Sequence, residues 1–297
     1  MATIASERRL VRSRTRGSTR VGRRSIGRGW RTATYVALIV FLLWTVIPFF
    51  WMATASLKTN KEIYGDFTIL PQTLYFGHYV SLLGGKFTIW MRNSAEVSLA
   101  ATTLSITLGA LGAYAITRLR FAGRRVIAIG LVFTYLIPQT LLFIPLFQVV
   151  AGLGLTDTVG ALILIYPTIT LPFCTWLLMS YFKSIPVELE DAALIDGCNR
   201  LGVLIRIVLP LSTPALVVVA LFAFTNAWNE FLYALVMTNS VSSRTVTVGL
   251  TQMLGEDVFY WGQMMAGALI TALPPVLMYT LAQRFVVKGL VVGGVKG

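Results

Sequence analysis

The sequence predicts an all-α integral membrane protein, and three observations carry this prediction. Of the 297 residues, 56% are hydrophobic and 12% are charged, and the mean hydropathy is +0.74. Soluble domains of ordinary composition carry roughly 25% charged residues. Long uncharged runs recur along the chain, and basic residues border them, which is typical of membrane-spanning helices.

Six uncharged runs are long enough to cross a hydrocarbon core, which needs about 20 apolar residues per helix. They are residues 32–57, 97–117, 126–156, 158–182, 207–229 and 258–283. The third run is longer than one span needs, and Gly152 and Gly154 indicate a short loop before Asp157. Gly109 and Ala113 in the second run form a small-residue face that suits close helix packing.

Residues 1–31 differ from the rest of the chain, because they hold ten arginines and no apolar period. They predict a disordered cytoplasmic tail beside the anionic inner leaflet, with a nucleic-acid-binding arm as the alternative. Residues 32–297 predict one transmembrane domain. The run 32–57 has a signal peptide as its rival interpretation, because Ala53-Thr54-Ala55 resembles a cleavage site. Signal cores are shorter, about 7–15 residues, so we expect a retained helix.

The distribution of basic residues predicts the orientation of the spans. With both termini in the cytoplasm, twenty basic residues lie inside, including the ten of the tail, and five lie outside. The five outer ones are Lys58, Lys61, Lys86, Arg92 and Arg244. Because basic residues accumulate on the cytoplasmic side, this count places the loop 184–209 in the cytoplasm.

The loop 184–209 mixes acidic and small apolar residues between two uncharged runs. Its acids cluster at the start of a predicted helix, where the helix dipole favours negative charge. Gly197 can adopt the left-handed conformation that ends a helix, and Asn199 can cap the next one. The pattern therefore predicts a helix, a tight turn and a second helix, with Ala192 and Ala193 allowing another protein's backbone to come close.

This loop resembles the cytoplasmic EAA loop of ABC importer permeases. Asp191-Ala192-Ala193 matches the start of that motif, with a shorter carboxylate in place of the usual Glu, and Gly197 follows at the expected distance. The resemblance implies a cytoplasmic coupling loop that contacts an ATPase. Its implied coupling residues are Glu190, Asp191, Ala192, Ala193, Asp196, Gly197, Ile207, Leu209 and Pro210.

Further segments resemble the carbohydrate class of these permeases, and specifically its maltose-transporter-like subunit. They are Asn93-Ser94, Ala113 to Arg118, Phe121 to Arg124, Ile137-Pro138-Gln139, Ile144-Pro145-Leu146, Trp228 to Phe231, Lys288-Gly289-Leu290 and the Val295-Lys296-Gly297 terminus. The resemblance implies the type I importer fold with six transmembrane helices, in a bacterial or archaeal inner membrane. It also implies import of an oligosaccharide, a monosaccharide or a glycerol phosphate.

The resemblance further implies the partners: an ATPase dimer, a second homologous permease and an extracytoplasmic sugar-binding protein. The sequence contains no G-x-x-x-x-G-K-[ST] phosphate-binding loop. We therefore expect this chain to bind no cofactor and to be non-catalytic, with ATP and Mg²⁺ held by the partner ATPase. We expect lipid contacts and no nucleic acid.

Polar residues inside predicted spans mark a candidate substrate path, because such residues are costly in lipid and usually functional. Asn226, Asn229 and Glu230 share one helix face, and Trp228 can stack on a sugar ring. Tyr135 and Gln139 are weaker candidates. The alternative is hydrogen bonding between helices or placement at the membrane interface; for Glu96, near an outer span end, we expect the interface.

Other function classes fit the sequence less well. Cys174 and Cys198 are not expected to pair, His78 is expected at the surface of a polar loop, and metal-ligand spacings are absent. An ion-coupled secondary transporter needs more charge inside its spans, and a membrane enzyme needs a nucleophile–base or metal constellation. A permease for a non-sugar solute remains the nearest alternative.

Overall fold

The structure is a computed structural model that describes residues 28–253 and 260–294, with side chains described as far as residue 285. The regular elements in these ranges are all helical, which confirms the predicted all-α class. The chain divides into two units, residues 1–49 and 50–297. The predicted tail lies mostly outside the described residues, and its last residues, 28–31, belong to the first helix.

The helices follow one another closely in sequence. In chain order they are α1 Arg28–Ser56, α2 Asn60–Tyr64, α3 Gly77–Leu83, α4 Phe87–Arg118, α5 Arg124–Leu136, α6 Phe143–Gly152, α7 Val159–Phe182, α8 Val187–Ile195, α9 Arg200–Val203, α10 Leu209–Leu211, α11 Thr213–Asn229, α12 Leu232–Met237, α13 Val246–Gln252 and α14 Trp261–Gly294. A 3₁₀ turn covers Gln139–Leu141, and a π-helical turn covers Leu204–Val208.

Four described helices are long and apolar enough to cross a membrane: α1, α4, α7 and α14. They confirm four of the six predicted runs as long helices, although α4 begins ten residues before its run. A fifth candidate is a bent pair, in which residues 200–211 meet α11 at 85°.

The third uncharged run, residues 126–156, is not one continuous helix. α5 stops where Ile137 becomes extended, with φ −70° and ψ 126°, directly before Pro138. A residue before proline disfavours the helical region, and proline itself lacks the N–H that a helix needs. The 3₁₀ turn and α6 follow, and Gly154, with φ +69°, forms the predicted short loop before Asp157.

The fifth predicted run, residues 207–229, begins too early. Its first residues belong to the π-helical turn and to α10, and α11 starts only at Thr213. Pro210 lies in the first turn of the short α10 and Pro214 in the first turn of the longer α11, where a missing N–H costs little. The two prolines therefore separate the segments that the apolar composition alone had joined.

The small-residue face predicted in the second run packs closely against α7. Ala113 is fully buried, and a Cβ at Gly109 would lie 3.4 Å from the Cβ of Cys174. A hydrogen bond of 2.7 Å joins the hydroxyls of Ser105 and Thr170 across the same contact. The close packing predicted for this face is therefore confirmed.

His78 is buried, so its predicted surface position was wrong. Its Nε2 lies 2.9 Å from the carbonyl oxygen of Lys58, and its ring meets Tyr75 edge-on at 4.9 Å between centroids. The polar loop folds into the short helices α2 and α3, and α14 also packs on the imidazole, because a Cβ at Gly262 would lie 2.1 Å from its Nε2. Cys174 and Cys198 are both free, as expected.

Candidate coupling loop and translocation path

The loop 184–209 folds as a helix, a tight turn and a second short helix. α8 follows Pro186 and carries Glu188 and Glu190 in its first turn. Gly197 has φ +89°, and the following Cys198 donates its backbone N–H to the Ala193 carbonyl at 3.0 Å. This left-handed glycine ends the helix because it has no Cβ to clash.

Asn199 begins the second helix of the loop. Its side-chain oxygen accepts a hydrogen bond of 2.7 Å from the N–H of Gly202, which caps α9. Asn is among the preferred N-cap residues because it satisfies an N–H that the helix leaves unpaired. The sequence had predicted both this cap and the left-handed Gly197 that precedes it.

Glu190 points into the protein and joins three elements. Its residue is 1% exposed, and its carboxylate accepts hydrogen bonds from Arg118 Nε at 2.6 Å and from the Tyr114 hydroxyl at 3.3 Å. Arg118 also donates to the carbonyls of Phe182 and Ile185, at 2.7 and 2.8 Å. One buried ion pair therefore ties α8 to the ends of α4 and α7.

The two alanines of the motif lie on different sides of α8. Ala193 is 8% exposed and packs in an apolar cluster with Phe182 and Val203, whereas Ala192 is exposed. Ile195, three residues beyond Ala192, is 87% exposed. The sequence had grouped the alanines on one contact face, but consecutive helix positions are 100° apart, and the fold decides which one turns outward.

The remaining motif residues take two kinds of position. Asp191 and Asp196 are exposed on and just after α8. Ile207 and Leu209 are half-buried against the same apolar cluster, and Pro210 is exposed. The second half of the motif thus forms the bend that returns the chain to α11. We define the outward face of the coupling loop as Leu189, Ala192 and Ile195, all exposed.

The candidate substrate-path residues near the end of α11 fall into two groups. Asn226 and Asn229 are exposed, and Asn226 donates to the Phe222 carbonyl at 2.9 Å. Trp228 is 2% exposed; its indole N–H donates to the Thr271 carbonyl at 3.1 Å, and its ring stacks on Phe224. The expected sugar-stacking surface on Trp228 is therefore covered by the chain itself.

Glu230 has a structural role at the start of α12. Its carboxylate accepts the N–H groups of Tyr233 and Ala234, at 2.9 and 3.0 Å, and the hydroxyl of Tyr166 at 2.9 Å. Such an acid at a helix start satisfies unpaired N–H groups and complements the helix dipole. Its spacing from Asn226 suggested one polar face, but the chain turns at Glu230, where ψ is 131°.

Tyr135 and Gln139 line a pocket of about 250 Å³ between α5, α6 and α7, together with Thr134 and Thr168. The Tyr135 ring contacts Phe173 at 5.9 Å between centroids, and Phe173 contacts Phe222 at 4.0 Å. We call Tyr135, Phe173 and Phe222 the aromatic row. Its last residue, Phe222, lies one helical turn before Asn226, and this spacing alone places the two residues on one helix face.

The loop 238–246 is held from two sides. The Asp157 carboxylate accepts the N–H groups of Asn239 and Ser240, at 2.7 and 2.8 Å, and the hydroxyl of Ser243. These bonds, led by those from Ser240 and Ser243, hold the pKa of Asp157 well below its ordinary value. Asn93 binds this loop from the other side, and sequence reasoning missed both roles.

Several apolar helices that are long enough to cross a membrane are typical of a multi-pass membrane protein. The family model described as "Binding-protein-dependent transport system inner membrane component" matches residues 105–291. Because that match covers more than half of the chain, the protein belongs to this family of inner membrane transport components.

Relatives of similar length carry transport names. "Inner membrane ABC transporter permease protein YcjP" of Escherichia coli (strain K12) is 42% identical over 271 residues, 90% of this chain and 97% of that protein. "Sulfoquinovosyl glycerol transport system permease protein SmoH" of Agrobacterium fabrum is 35% identical, covering 89% and 93%. "Trehalose/maltose transport system permease protein MalG" of Thermococcus litoralis is 34% identical, covering 90% and 97%.

A solved structure has the same fold. It is a bacterial ABC transporter involved in the import of the acidic polysaccharide alginate, and it contains a chain that superposes with a TM-score of 0.77. The alignment covers 88% of this chain and 97% of that chain at 24% sequence identity. At this identity the likeness establishes the fold alone.

Proposed function

We propose that this chain is the permease subunit of an ATP-binding cassette importer and that it moves a saccharide into the cell. Family membership and the transport names of relatives such as SmoH and MalG support this function. ATP is hydrolysed on separate ATPase subunits, since the sequence has no phosphate-binding loop. A second permease and an extracytoplasmic binding protein complete the complex.

This assembly predicts a defined biochemical behaviour. In proteoliposomes, the complete complex should hydrolyse ATP faster when the binding protein carries its sugar than when it is empty. The stimulation follows if sugar binding outside is coupled through the spans to the ATPase. ATP hydrolysis that is indifferent to the sugar-loaded binding protein would contradict an importer of this kind.

The proposed topology has six spans and both termini in the cytoplasm. Four spans are the long helices, the fifth is α11, which follows the bend, and the sixth is the broken segment of α5 and α6. The twenty-to-five distribution of basic residues supports the orientation. In a cysteine-free background, a single cysteine at exposed Lys61 should react with a membrane-impermeant thiol reagent on intact cells. Reaction at Arg200 instead would reverse the orientation.

The geometry of the coupling loop is the observation that carries the proposal. The buried Arg118–Glu190 pair fixes α8 to the ends of two spans, so displacement of the loop is transmitted to them. Its outward face is apolar and small at Ala192, which suits a packed contact in a groove of the ATPase. We propose that Ala192 lies at the closest approach, with Ile195 beside it.

Two tryptophan variants test the contact. Ala192→Trp should abolish copurification of the ATPase without lowering the chain's own thermal stability, because Ala192 is exposed. Ala193→Trp should destabilise the chain itself, because overpacking a buried site forces its neighbours apart. Asp191→Asn should weaken the association less, since an exposed ion pair contributes about 0–1 kcal/mol. An ATPase retained by Ala192→Trp and lost by Asp191→Asn would make charge the main determinant.

We propose that the substrate path follows the aromatic row and the exposed amides of Asn226 and Asn229. Aromatic faces suit sugar rings, and amides suit sugar hydroxyls. Asn226→Ala and Asn229→Ala should lower sugar uptake by the reconstituted complex while leaving assembly intact. Glu230→Ala should instead lower thermal stability, because it uncaps α12. Normal uptake by both asparagine variants would reject this path.

A further inference from the structure

The pocket that contains Tyr135 and Gln139, of about 250 Å³, lies where the broken segment of α5 and α6 meets α7. All of its lining residues fall between 134 and 172, a range that the structure describes without a gap. None of these lining residues is Asp, Glu, Lys, Arg or His, so the wall that this chain contributes is uncharged. The volume is just below the range of most ligand sites, about 300–1,000 Å³, and suits one sugar ring.

Two prolines disturb the helical hydrogen bonds beside this pocket. Thr134 precedes Pro138 by four residues, and Thr168 precedes Pro172, inside α7, by the same distance. In a helix each carbonyl accepts the N–H of the residue four positions on, and proline has no N–H to donate. The Thr134 carbonyl accepts a bond of 3.3 Å from the N–H of Ile137 instead. Both threonines line the pocket, so the two carbonyls that lose their helical donors belong to its wall residues.

A third threonine in the same arrangement shows how the chain itself can replace the lost donor. Thr271 precedes Pro275 in α14, and its carbonyl accepts the indole N–H of Trp228 at 3.1 Å. Among the described residues, no side chain donates to the Thr168 carbonyl in this way. A carbonyl without a donor is costly in lipid, but it is stable where it lines a water-filled cavity. We therefore expect water or a ligand with O–H groups in this pocket.

The threonine side chains of the wall also present acceptors. Thr134 donates its hydroxyl proton to the Gly130 carbonyl at 2.9 Å, and Thr168 donates its own to the Ile165 carbonyl at 2.7 Å. A hydroxyl has one proton and two lone pairs, so both oxygens keep only acceptor sites for a ligand. Acceptors suit a ligand rich in O–H donors and disfavour an anionic group, which has no proton to donate. The Tyr135 ring adds an aromatic surface for the apolar face of a sugar.

We propose that this pocket is a subsite of the substrate path that binds one uncharged hexose ring, whose hydroxyls donate to the oxygens of Thr134 and Thr168. These two threonines then determine specificity, because their acceptors favour a neutral sugar over a uronate or a sugar phosphate. The proposal rests on the proposed function, since it names the substrate class of the same saccharide path.

The first test asks whether water fills the pocket, and it needs no choice of sugar. The complete complex is reconstituted in proteoliposomes with a cysteine-free chain, to which Gln139→Cys, Thr168→Cys or Phe133→Cys is added. The first two should react with a charged methanethiosulfonate reagent at least roughly tenfold faster than the third, because a thiol ionises in water and not in an apolar environment. Phe133 is the matched control, since it is exposed on α5 and lies outside the pocket lining. Rates at Gln139→Cys and Thr168→Cys no faster than at Phe133→Cys would overturn the proposal.

The second test compares glucose with glucuronate, which differ in one carboxylate. At equal concentration and ionic strength, glucose should slow the labelling of Gln139→Cys severalfold more than glucuronate does. Adding Thr168→Val or Thr134→Val, which keeps the shape and removes the hydroxyl, should weaken the protection by glucose. Thr103→Val is the matched control, because Thr103 is an exposed threonine outside the pocket that donates to the Leu99 carbonyl at 2.8 Å. Equal protection by the two sugars, or protection by glucose that neither pocket valine changes, would refute the subsite.

Failure of this subsite and failure of the proposed function give different results. A complex whose ATP hydrolysis responds to the sugar-loaded binding protein, but whose Gln139→Cys chain stays unreactive, is an importer whose path runs elsewhere. A chain whose Gln139→Cys variant is protected by glucose, but which associates with no ATPase, has the sugar subsite and lacks the proposed function.

Discussion

Two loops of this molecule are held in place by different kinds of interaction. The loop 184–209 is fixed by the buried Arg118–Glu190 pair and by an apolar cluster that includes Ala193. The loop 238–246 is fixed by hydrogen bonds from its backbone and serines to Asp157, and by those that Asn93 donates to it.

The difference decides what each loop exposes. The coupling loop turns one charge inward and leaves apolar side chains such as Ile195 outside, which suits packing against another protein. The loop 238–246 instead turns backbone N–H and C=O groups inward, toward Asp157 and Asn93. Removing the ion pair of one loop and the hydrogen bonds of the other should therefore lower the free energy of unfolding by different amounts and with different dependence on pH.

The largest expected effect comes from the ion pair. Glu190→Leu leaves the Arg118 guanidinium buried without its carboxylate, and breaking one partner of a buried pair costs about 3–5 kcal/mol. We expect a corresponding loss in the free energy of unfolding of the purified chain, followed by circular dichroism in detergent. ATP hydrolysis by the complex should also lose its dependence on the sugar-loaded binding protein.

The double variant and an exposed control sharpen this prediction. Glu188→Leu, on the exposed side of the same helical turn, should change the free energy of unfolding little. Glu190→Leu/Arg118→Met should be more stable than Glu190→Leu alone, because no unpaired charge remains. Equal losses in Glu188→Leu and Glu190→Leu would mean that the pair does not hold the loop.

A smaller effect is expected at the second loop. Asp157→Ala removes an acceptor of three hydrogen bonds and should lower the free energy of unfolding by about 1–3 kcal/mol. Asp157→Asn should cost less, because Asn keeps one oxygen acceptor and tolerates the left-handed φ of 58° at this position. A larger loss in Asp157→Asn than in Asp157→Ala would contradict this account of the loop.

The stability that Asp157 contributes to the second loop should depend on pH. The pKa of Asp157 is lowered in the folded chain, so its ionised form stabilises the fold. This contribution is fully present above the ordinary carboxyl pKa of 3.8 and is lost as the pH falls toward the lower folded value. The unfolding difference between the unmodified chain and Asp157→Ala should therefore shrink in acid.

Local patterns predicted the conformation of the coupling loop. Gly197 and Asn199 have backbone and capping preferences that depend on a few neighbouring residues, and both adopt the predicted geometry. The packing of α4 on α7 at Gly109 also follows from small residues at helical spacing. The long apolar runs predicted helices because a lipid-exposed backbone must satisfy its hydrogen bonds within the segment.

The sequence pattern could not predict contacts between segments that are distant along the chain. Whether Ala192 or Ala193 turns outward depends on where Arg118 lies, 72 positions away from Glu190. Glu230 looked like a path residue, but its helix ends there and its carboxylate caps the next one. His78 lies in a stretch of polar composition whose short helices bury it. Each depends on a contact between segments distant in sequence or on a helix boundary.

The turn of the coupling loop provides a prediction of intermediate size. Gly197→Ala should lower the free energy of unfolding by about 1 kcal/mol, since an L-residue is strained at φ +89°. Gly130→Ala is the matched control; nothing lies within 4 Å of its Cβ position, and its helical backbone accepts alanine. A loss at Gly130 as large as that at Gly197 would show that conformation is not the cause.

The smallest expected effect on stability is at the outward face of the coupling loop. Ile195→Ser should change the free energy of unfolding by no more than about 0.5 kcal/mol, because an exposed side chain contributes little to the fold. The same variant should lose ATPase copurification if the exposed isoleucine packs against that partner. Val187→Ser, an exposed apolar change at the start of α8, is the control for position. If Ile195→Ser unfolds the chain as strongly as Glu190→Leu, the outward face belongs to the core and the contrast between the two loops fails.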